Sequence, residues 1–315
     1  MESLVLSIEI VFPTIAIMMF GWFLRRVGLL SAEFIKGGTW FSFNIAIPFA
    51  IYMSLQGEDL GSILNVGLTV YMVLGLIMVF VLLTLIVPRL VPDRPKAVSM
   101  AHNMLRANFV VQGIPMLTKT YGAENIAVGA ATLPFMVVAN NVLGTLMYVI
   151  LMPSKESGSA LVNAVKKLLK NPLIIASVAG ILVAATPITV PPLLLDPVNQ
   201  VGRIGTPLIL LCLGAEIDFK SLRRNLRYTI PTTLVRLLLI PATLTFIGAL
   251  LGFRGIELGT IYLFNASCTV VAGYVMAAAM GGDTAIAAES LGLTALASSV
   301  TVTLGLTILL HFGLI

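Results

Sequence analysis

Two short runs of polar and small residues interrupt otherwise apolar stretches of this chain, and their types suit the binding of an organic anion. The first reads Arg106-Ala107-Asn108-Phe109-Val110-Val111-Gln112-Gly113-Ile114-Pro115. Asn108 and Gln112 are four apart and share one face of a helix. Pro115 lacks an N–H and crowds a preceding carbonyl, and Gly113 relaxes the backbone beside it, so a break is expected at Gly113 to Pro115. The second run is Asn265-Ala266-Ser267-Cys268-Thr269-Val270-Val271-Ala272-Gly273, where Ser267, Thr269, Ala272 and Gly273 bring hydroxyls and small side chains together. A half-helix that begins inside a membrane presents an N-terminus with about half a positive charge. Such an end holds a carboxylate without a lysine. The expected substrate-binding residues are Asn108, Gln112, Gly113, Ile114, Pro115, Ser267, Thr269, Ala272 and Gly273. The simpler alternative at Gly113 and Pro115 is a tolerated kink.

Asn140 and Asn141 join the expected set. Two adjacent amides cannot both face lipid cheaply, so at least one faces protein or a cavity, either to bind substrate or to bond a neighbouring helix. Arg106 is a charge within an apolar stretch and is expected to set the local potential for an anion. Arg236 is expected to snorkel toward the cytoplasm, Glu289 to lie at a solvated helix end, and His102 to be a packed histidine. No residues have the spacing of a metal site, a phosphate-binding lysine loop or a nucleophile–base pair. No catalytic residue, metal or cofactor is expected.

These residues must be positioned by membrane-spanning helices. Of the 315 residues, 58% are hydrophobic and only 10% are charged, against roughly 25% charged in a soluble domain. A soluble enzyme, a disordered chain and a disulfide scaffold are excluded, and Cys212 and Cys268 both sit in apolar runs. Ten apolar stretches approach the roughly 20 residues a bilayer requires: Leu4 to Leu24, Phe34 to Leu55, Ile63 to Val87, Ala97 to Tyr121, Ile126 to Met152, Leu173 to Ile188, Val198 to Ile217, Thr229 to Leu251, Leu258 to Met280 and Ala285 to Phe312. Turn residues and charges separate them, among them Gly57-Glu58-Asp59, Pro92-Asp93-Arg94-Pro95, Gly122-Ala123-Glu124 and Gly281-Gly282-Asp283. With the N-terminus outside, the odd-numbered loops hold fourteen Lys and Arg. The even loops hold three: Lys119, Arg203 and Arg254. That asymmetry predicts a multi-pass inner-membrane protein with both termini extracytoplasmic. It also accounts for the net charge of +5 without nucleic acid.

A shift of 159 residues aligns the punctuation of the two halves. Pro13 meets Pro172, Gly21 meets Gly180, Pro48 meets Pro207, Asp59 meets Asp218, Gly122 meets Gly281, and Asn108 meets Ser267. Five spans per half is an odd number, which predicts an inverted repeat, with residues 1–152 and 172–315 as its halves. The joining segment, residues 153–171, reads as a basic amphipathic helix on the cytoplasmic surface or as a plain basic loop.

Phe20-Gly21-Trp22-Phe23-Leu24-Arg25-Arg26-Val27-Gly28-Leu29-Leu30, then Asn44-Ile45-Ala46-Ile47-Pro48, Asn108 through Leu117, Tyr121-Gly122 and Asn171-Pro172 resemble the auxin efflux carrier family of membrane transporters. The resemblance runs over essentially the whole chain and points to a prokaryotic member, of the kind described as malonate or malate permeases. It implies an all-α membrane fold of ten transmembrane helices in two inverted five-helix repeats, like bile-acid symporters and sodium/proton antiporters. Helices 1, 2, 6 and 7 would form a scaffold that makes a homodimer, and helices 3–5 and 8–10 a transport domain with broken helices 4 and 9 crossing. Carried onto this chain, the crossover falls at Gly113 to Pro115 and at Val271 to Gly273. Ala272-Gly273 stands where plant members carry a proline. The implied function is secondary transport of a small organic anion, auxin- or malonate-like, by elevator-type alternating access. The alternatives are a sodium- or proton-coupled symporter of a bile-acid-like solute and, from other classes, an intramembrane enzyme or a non-transporting receptor.

Overall fold

The computed structural model describes residues 2–54, 65–122, 127–152, 170, 172–184, 186, 190–215 and 219–315. Among them the regular structure is helical, with no strand. We label the helices in chain order: α1 Glu2–Arg26, α2 residues 32–54, α3 Val66–Leu90, α4a Arg94–Leu105, α4b residues 109–121, α5 Leu133–Leu151, α6 Pro172–Ala184, α7 Pro192–Ala215, α8 residues 219–250, α9a Gly255–Ala266, α9b Ala272–Met280 and α10 Thr284–His311. Residues 153–169 of the joining segment lie outside the described residues, as do Gly57-Glu58-Asp59, Ala123-Glu124 and Asp218.

Helix starts follow local chemistry. Ser31, Asn65, Asp93 and Asp283 are N-caps whose side chains accept from Phe34, Leu68, Lys96 and Ile286 backbone N–H groups, meeting donors that the first turn leaves unpaired. The Lys96 ammonium lies 2.7 Å from Asp93, and its hydrogen bond holds the Asp93 carboxyl below the usual range. Val66–Leu90, Asn225–Leu250 and Thr284–His311 are each long and apolar enough to cross a membrane. On α3, Val70, Leu74, Ile77, Val81 and Leu85 form an exposed apolar stripe, which hydrocarbon tolerates and water does not.

Three helices widen into a five-residue π-turn, at Ser42–Ala46, Phe109–Gly113 and Val235–Leu239. Each ends two residues before a proline: Pro48, Pro115 and Pro241. A proline removes one helical donor and crowds a carbonyl a turn back. Widening the preceding turn lets the helix continue past it.

Helix α1 packs against α7, and α7 against α2, with α6 on the second half of α2. At the α1–α7 crossing the backbones touch, because a Cβ on either Gly21 or Gly214 would strike main-chain atoms of Leu211 or Met18. A second set of contacts joins α3 to α4a and α5, α8 to α10, and α9a to both α8 and α4b, and the two sets meet where α1 packs on α10 and α6 on α5.

The 159-residue shift also relates the helices. It carries residues 66–90 onto 225–249, inside α8, and residues 114–121 onto 273–280, all of α9b but its first residue. Gly122 and Gly281 end α4b and α9b with φ of 84° and 82°. No non-glycine described residue has positive φ.

Candidate functional site

The break in the fourth helix lies at Arg106-Ala107-Asn108, about two turns earlier than expected. Gly113 sits in the π-turn and Pro115 in the first turn of Ile114–Tyr121, where its missing donor is absorbed. Gly113 N–H reaches back to the Asn108 carbonyl at 3.0 Å, five residues away. The break in the ninth helix spans residues 267–271, and the expected Ala272 and Gly273 begin α9b just after it.

The two breaks bind each other. The Asn108 backbone N–H donates to the Cys268 carbonyl at 3.0 Å. The Cys268 backbone N–H donates to Gln112 Oε1 at 2.5 Å. Gln112 Nε2 donates to Ser298 Oγ on α10 at 2.8 Å, and the Thr269 N–H donates to Thr294 Oγ1 at 3.2 Å. A backbone without helical partners is thereby satisfied inside protein, the condition for irregular chain at membrane depth. Ser267 Oγ donates back to Phe264 O and ends α9a.

Both buried arginines converge here. Arg236 Nη2 donates to Asn265 O at 2.7 Å, Nε to Ser267 O at 3.2 Å, and Nη1 to Met104 O at 3.4 Å. One guanidinium thus gathers carbonyls at the C-terminal ends of both α4a and α9a, where cations are favoured. Arg236 is 1% exposed, so it does not snorkel to a surface; the orphan carbonyls hold it. Arg106 Nη2 donates to Asn141 Oδ1 at 2.8 Å, and Nη1 to Asn140 O at 3.5 Å. Asn140 Nδ2 donates to the Ala107 carbonyl at 3.5 Å. Both asparagines of α5 therefore face the break. Glu289 is half-buried rather than solvated, accepting from Asn225 Nδ2 on α8 at 3.1 Å. Among the described residues the one salt bridge is the distant Lys96–Asp93 pair; neither Arg106 nor Arg236 has a carboxylate partner.

Asn108, Gln112, Gly113, Asn140, Asn141, Ser267, Thr269, Ala272 and Gly273 are thus gathered around one crossing, with Ile114 and Pro115 opening the following helix. Sequence reasoning missed Thr294 and Ser298, though Ser290, Thr294 and Ser298 recur every four residues along α10 and mark one polar helix face.

A cavity of about 620 Å³ lies between α2 and α9b. Tyr274 and Val275 of α9b line it, facing Thr39 and Asn44 of α2, with Arg25 and Lys36 among its walls. A slightly larger groove, between α3 and α8, is almost wholly apolar. The small-cavity wall thus combines one half-helix of the crossing, a polar stripe on α2 and two cations. That arrangement can admit an organic anion beside α9b.

A family model described as membrane transport protein, the auxin efflux carrier family, matches residues 6–306. No curated protein matches the chain.

Proposed function

The chain belongs to the membrane transport protein family of auxin efflux carriers, a family of membrane-embedded transporters rather than enzymes, and from that premise we propose that it is a secondary carrier of a small organic anion. The observation that carries the reading is the crossing itself. Two interrupted helices meet with two buried guanidiniums, two amides of α5 and no carboxylate partner among the described residues. An unpaired carboxylate is far too costly in hydrocarbon. Here the positive field of two guanidiniums without a carboxylate partner, with the α5 amides beside Arg106, offsets part of the lost water shell. Those groups bind a carboxylate weakly enough to release it again.

The same reading places the substrate between Asn108 to Pro115 and Ser267 to Gly273, near mid-bilayer. It takes α1, α2, α6 and α7 as a scaffold, supported by their mutual packing, and the remaining helices as an elevator-like moving unit. The matching helix ends at the 159-residue shift support an inverted repeat. Loop charge supports an inner-membrane protein with both termini extracytoplasmic. The resemblance supports a homodimer through the scaffold.

Counterflow in proteoliposomes tests the function. Labelled monocarboxylates and dicarboxylates, malonate and malate among them, are presented to vesicles preloaded with the same unlabelled compound. Transient accumulation of one is expected. A protein that exchanges none of them but carries neutral or cationic solutes would overturn the anion reading.

A further inference from the structure

A chain of buried polar groups leaves the crossing along α4a and is not used in holding the two breaks together. Ser99, His102, Asn103 and Arg106 are spaced at three, four and seven residues and occupy one face of α4a, all buried. His102 is fully buried, its ring 5.0 Å from that of Tyr148 on α5 in an edge contact. Arg106 Nε and Asn140 Oδ1 have no hydrogen-bond partner, and the other groups, Ser99 with Tyr148 and Asn103 with His102, pair at most with one another. Buried polar atoms are ordinarily paired more fully, so this cluster calls for a further partner, and a mobile proton is one.

The groups lie end to end. Ser99 Oγ and Tyr148 OH both approach Gly282, in the loop before α10: a Cβ there would stand 2.6 and 2.9 Å from them. The Tyr148 ring stands edge-on to the His102 ring, so a proton passing between hydroxyl and imidazole needs a bridging water. His102 Nε2 and Arg106 Nη1 both approach Gly144 of α5, where a Cβ would lie 2.9 and 3.0 Å from them. Asn103 Oδ1 lies against Gly273 of α9b. The path thus runs from the loop at Gly282-Asp283 to the guanidinium at the crossing.

We propose that this path carries a proton and that His102 takes it up together with the anion. The proposal rests on the transport reading above. The proton comes from water at the Asp283 end, passes to an imidazole nitrogen to form imidazolium, and returns to water on the side where the anion is released. Charge decides the coupling. Around His102 stand Arg106 and Asn103 on its own helix and Tyr148 on α5, with Arg236 of α8 reaching the Met104 carbonyl two residues further along α4a. The carboxylates at the edge of this region are engaged: Asp93 with Lys96, Glu289 with Asn225, and Asp283 as the α10 cap. An imidazolium beside Arg106 is a second positive charge, and like charges repel. An anion at the crossing supplies the opposite charge, so anion binding and proton uptake favour one another, and each by the same factor.

The test uses the full chain in proteoliposomes with the membrane potential clamped, and labelled malonate and malate as probes. With the wild type, an imposed pH gradient should drive accumulation that rises by up to about tenfold per pH unit for one proton per anion. His102→Gln should lose that dependence while exchange at equal pH continues at a measurable rate. Should His102→Gln fail to fold, Tyr148→Phe, which keeps the ring and removes one hydroxyl, should slow gradient-driven uptake several-fold and leave equal-pH exchange in place. Wild-type exchange without any response to the pH gradient overturns the proton proposal alone. A response retained in full by both variants overturns the assignment to His102 and its path. Vesicles that exchange neither probe at any pH overturn both this proposal and the malonate/malate form of the transport reading.

Discussion

The backbone N–H of Asn108 donates to the Cys268 carbonyl at 3.0 Å, while the Cys268 N–H donates to the Gln112 side chain. Residues 160 apart in sequence therefore share main-chain pairing that neither broken helix supplies for itself. The two residues differ in what a side-chain deletion removes. Gln112→Ala strips the partner from the Cys268 N–H and from Ser298 Oγ, both buried, at about 1–3 kcal/mol. It should lower the thermal stability of the purified protein as well as transport. Asn108→Ala leaves the backbone bond standing and removes an amide that bonds the Cys268 thiol. It should weaken apparent substrate affinity by about five- to 150-fold while lowering the melting temperature less than Gln112→Ala. Normal transport by both variants at normal expression would move the substrate site elsewhere.

Arg236 makes a different prediction, because it holds backbone rather than substrate. Arg236→Met removes the donor from the Asn265, Ser267 and Met104 carbonyls. Each carbonyl left unmet costs about 1–3 kcal/mol, so the variant should melt well below the wild type in detergent. Arg236→Lys carries the charge but not the three-pronged fork, and should recover only part of the loss. A melting curve for Arg236→Met that overlays the wild type would show that water or relaxation replaces the guanidinium.

Much of this was legible in the sequence, and the misses have physical reasons. The separating turns at Pro92-Asp93 and Gly281-Gly282-Asp283 coincide with helix caps because Asp and Gly act locally, through their own side chain or their lack of one. Pro115 looked like the break and is not, since a π-turn two residues earlier absorbs it. The actual breaks, Arg106-Ala107-Asn108 and residues 267–271, contain neither glycine nor proline. They are held open by bonds to Gln112, Thr294 and Arg236, partners far away in the chain that no local pattern reveals. The same holds for Arg236: a lone arginine in an apolar helix reads alike whether it reaches water or caps two buried helix ends.

The glycines at the paired helix ends give a graded test. Gly281 has φ 82° and ψ 22°, the left-handed region that asparagine also visits. Gly122 has φ 84° and ψ 151°, a region essentially confined to glycine. Gly281→Asn should cost little. Gly122→Asn should cost on the order of 1–3 kcal/mol, read as a lower melting temperature. Equal tolerance at both positions would mean that the chain after α4b rearranges freely.

The cavity between α2 and α9b predicts a salt-dependent loss. Arg25 and Lys36 line it, and both are exposed. Arg25 Nη1 already donates to the Leu30 carbonyl at 2.7 Å, so Lys36 is the more mobile cation toward an arriving anion. Cations at the wall of a low-dielectric cleft raise the local concentration of anions. That attraction is screened over about 10 Å at 0.1 M salt and over about 3 Å at 1 M. Lys36→Gln should therefore raise the half-saturating anion concentration by a few-fold at low ionic strength, measured with the cavity-bearing side facing the substrate. The difference should shrink as salt rises toward 1 M, while the maximal rate changes little, because Lys36 does not touch the crossing. Lys119→Gln, an exposed lysine on α4b that is not part of the cavity wall, controls for net charge and should behave as the wild type. If Lys119→Gln and Lys36→Gln weakened uptake alike, the effect would come from overall charge and the cavity would not be the route to the crossing.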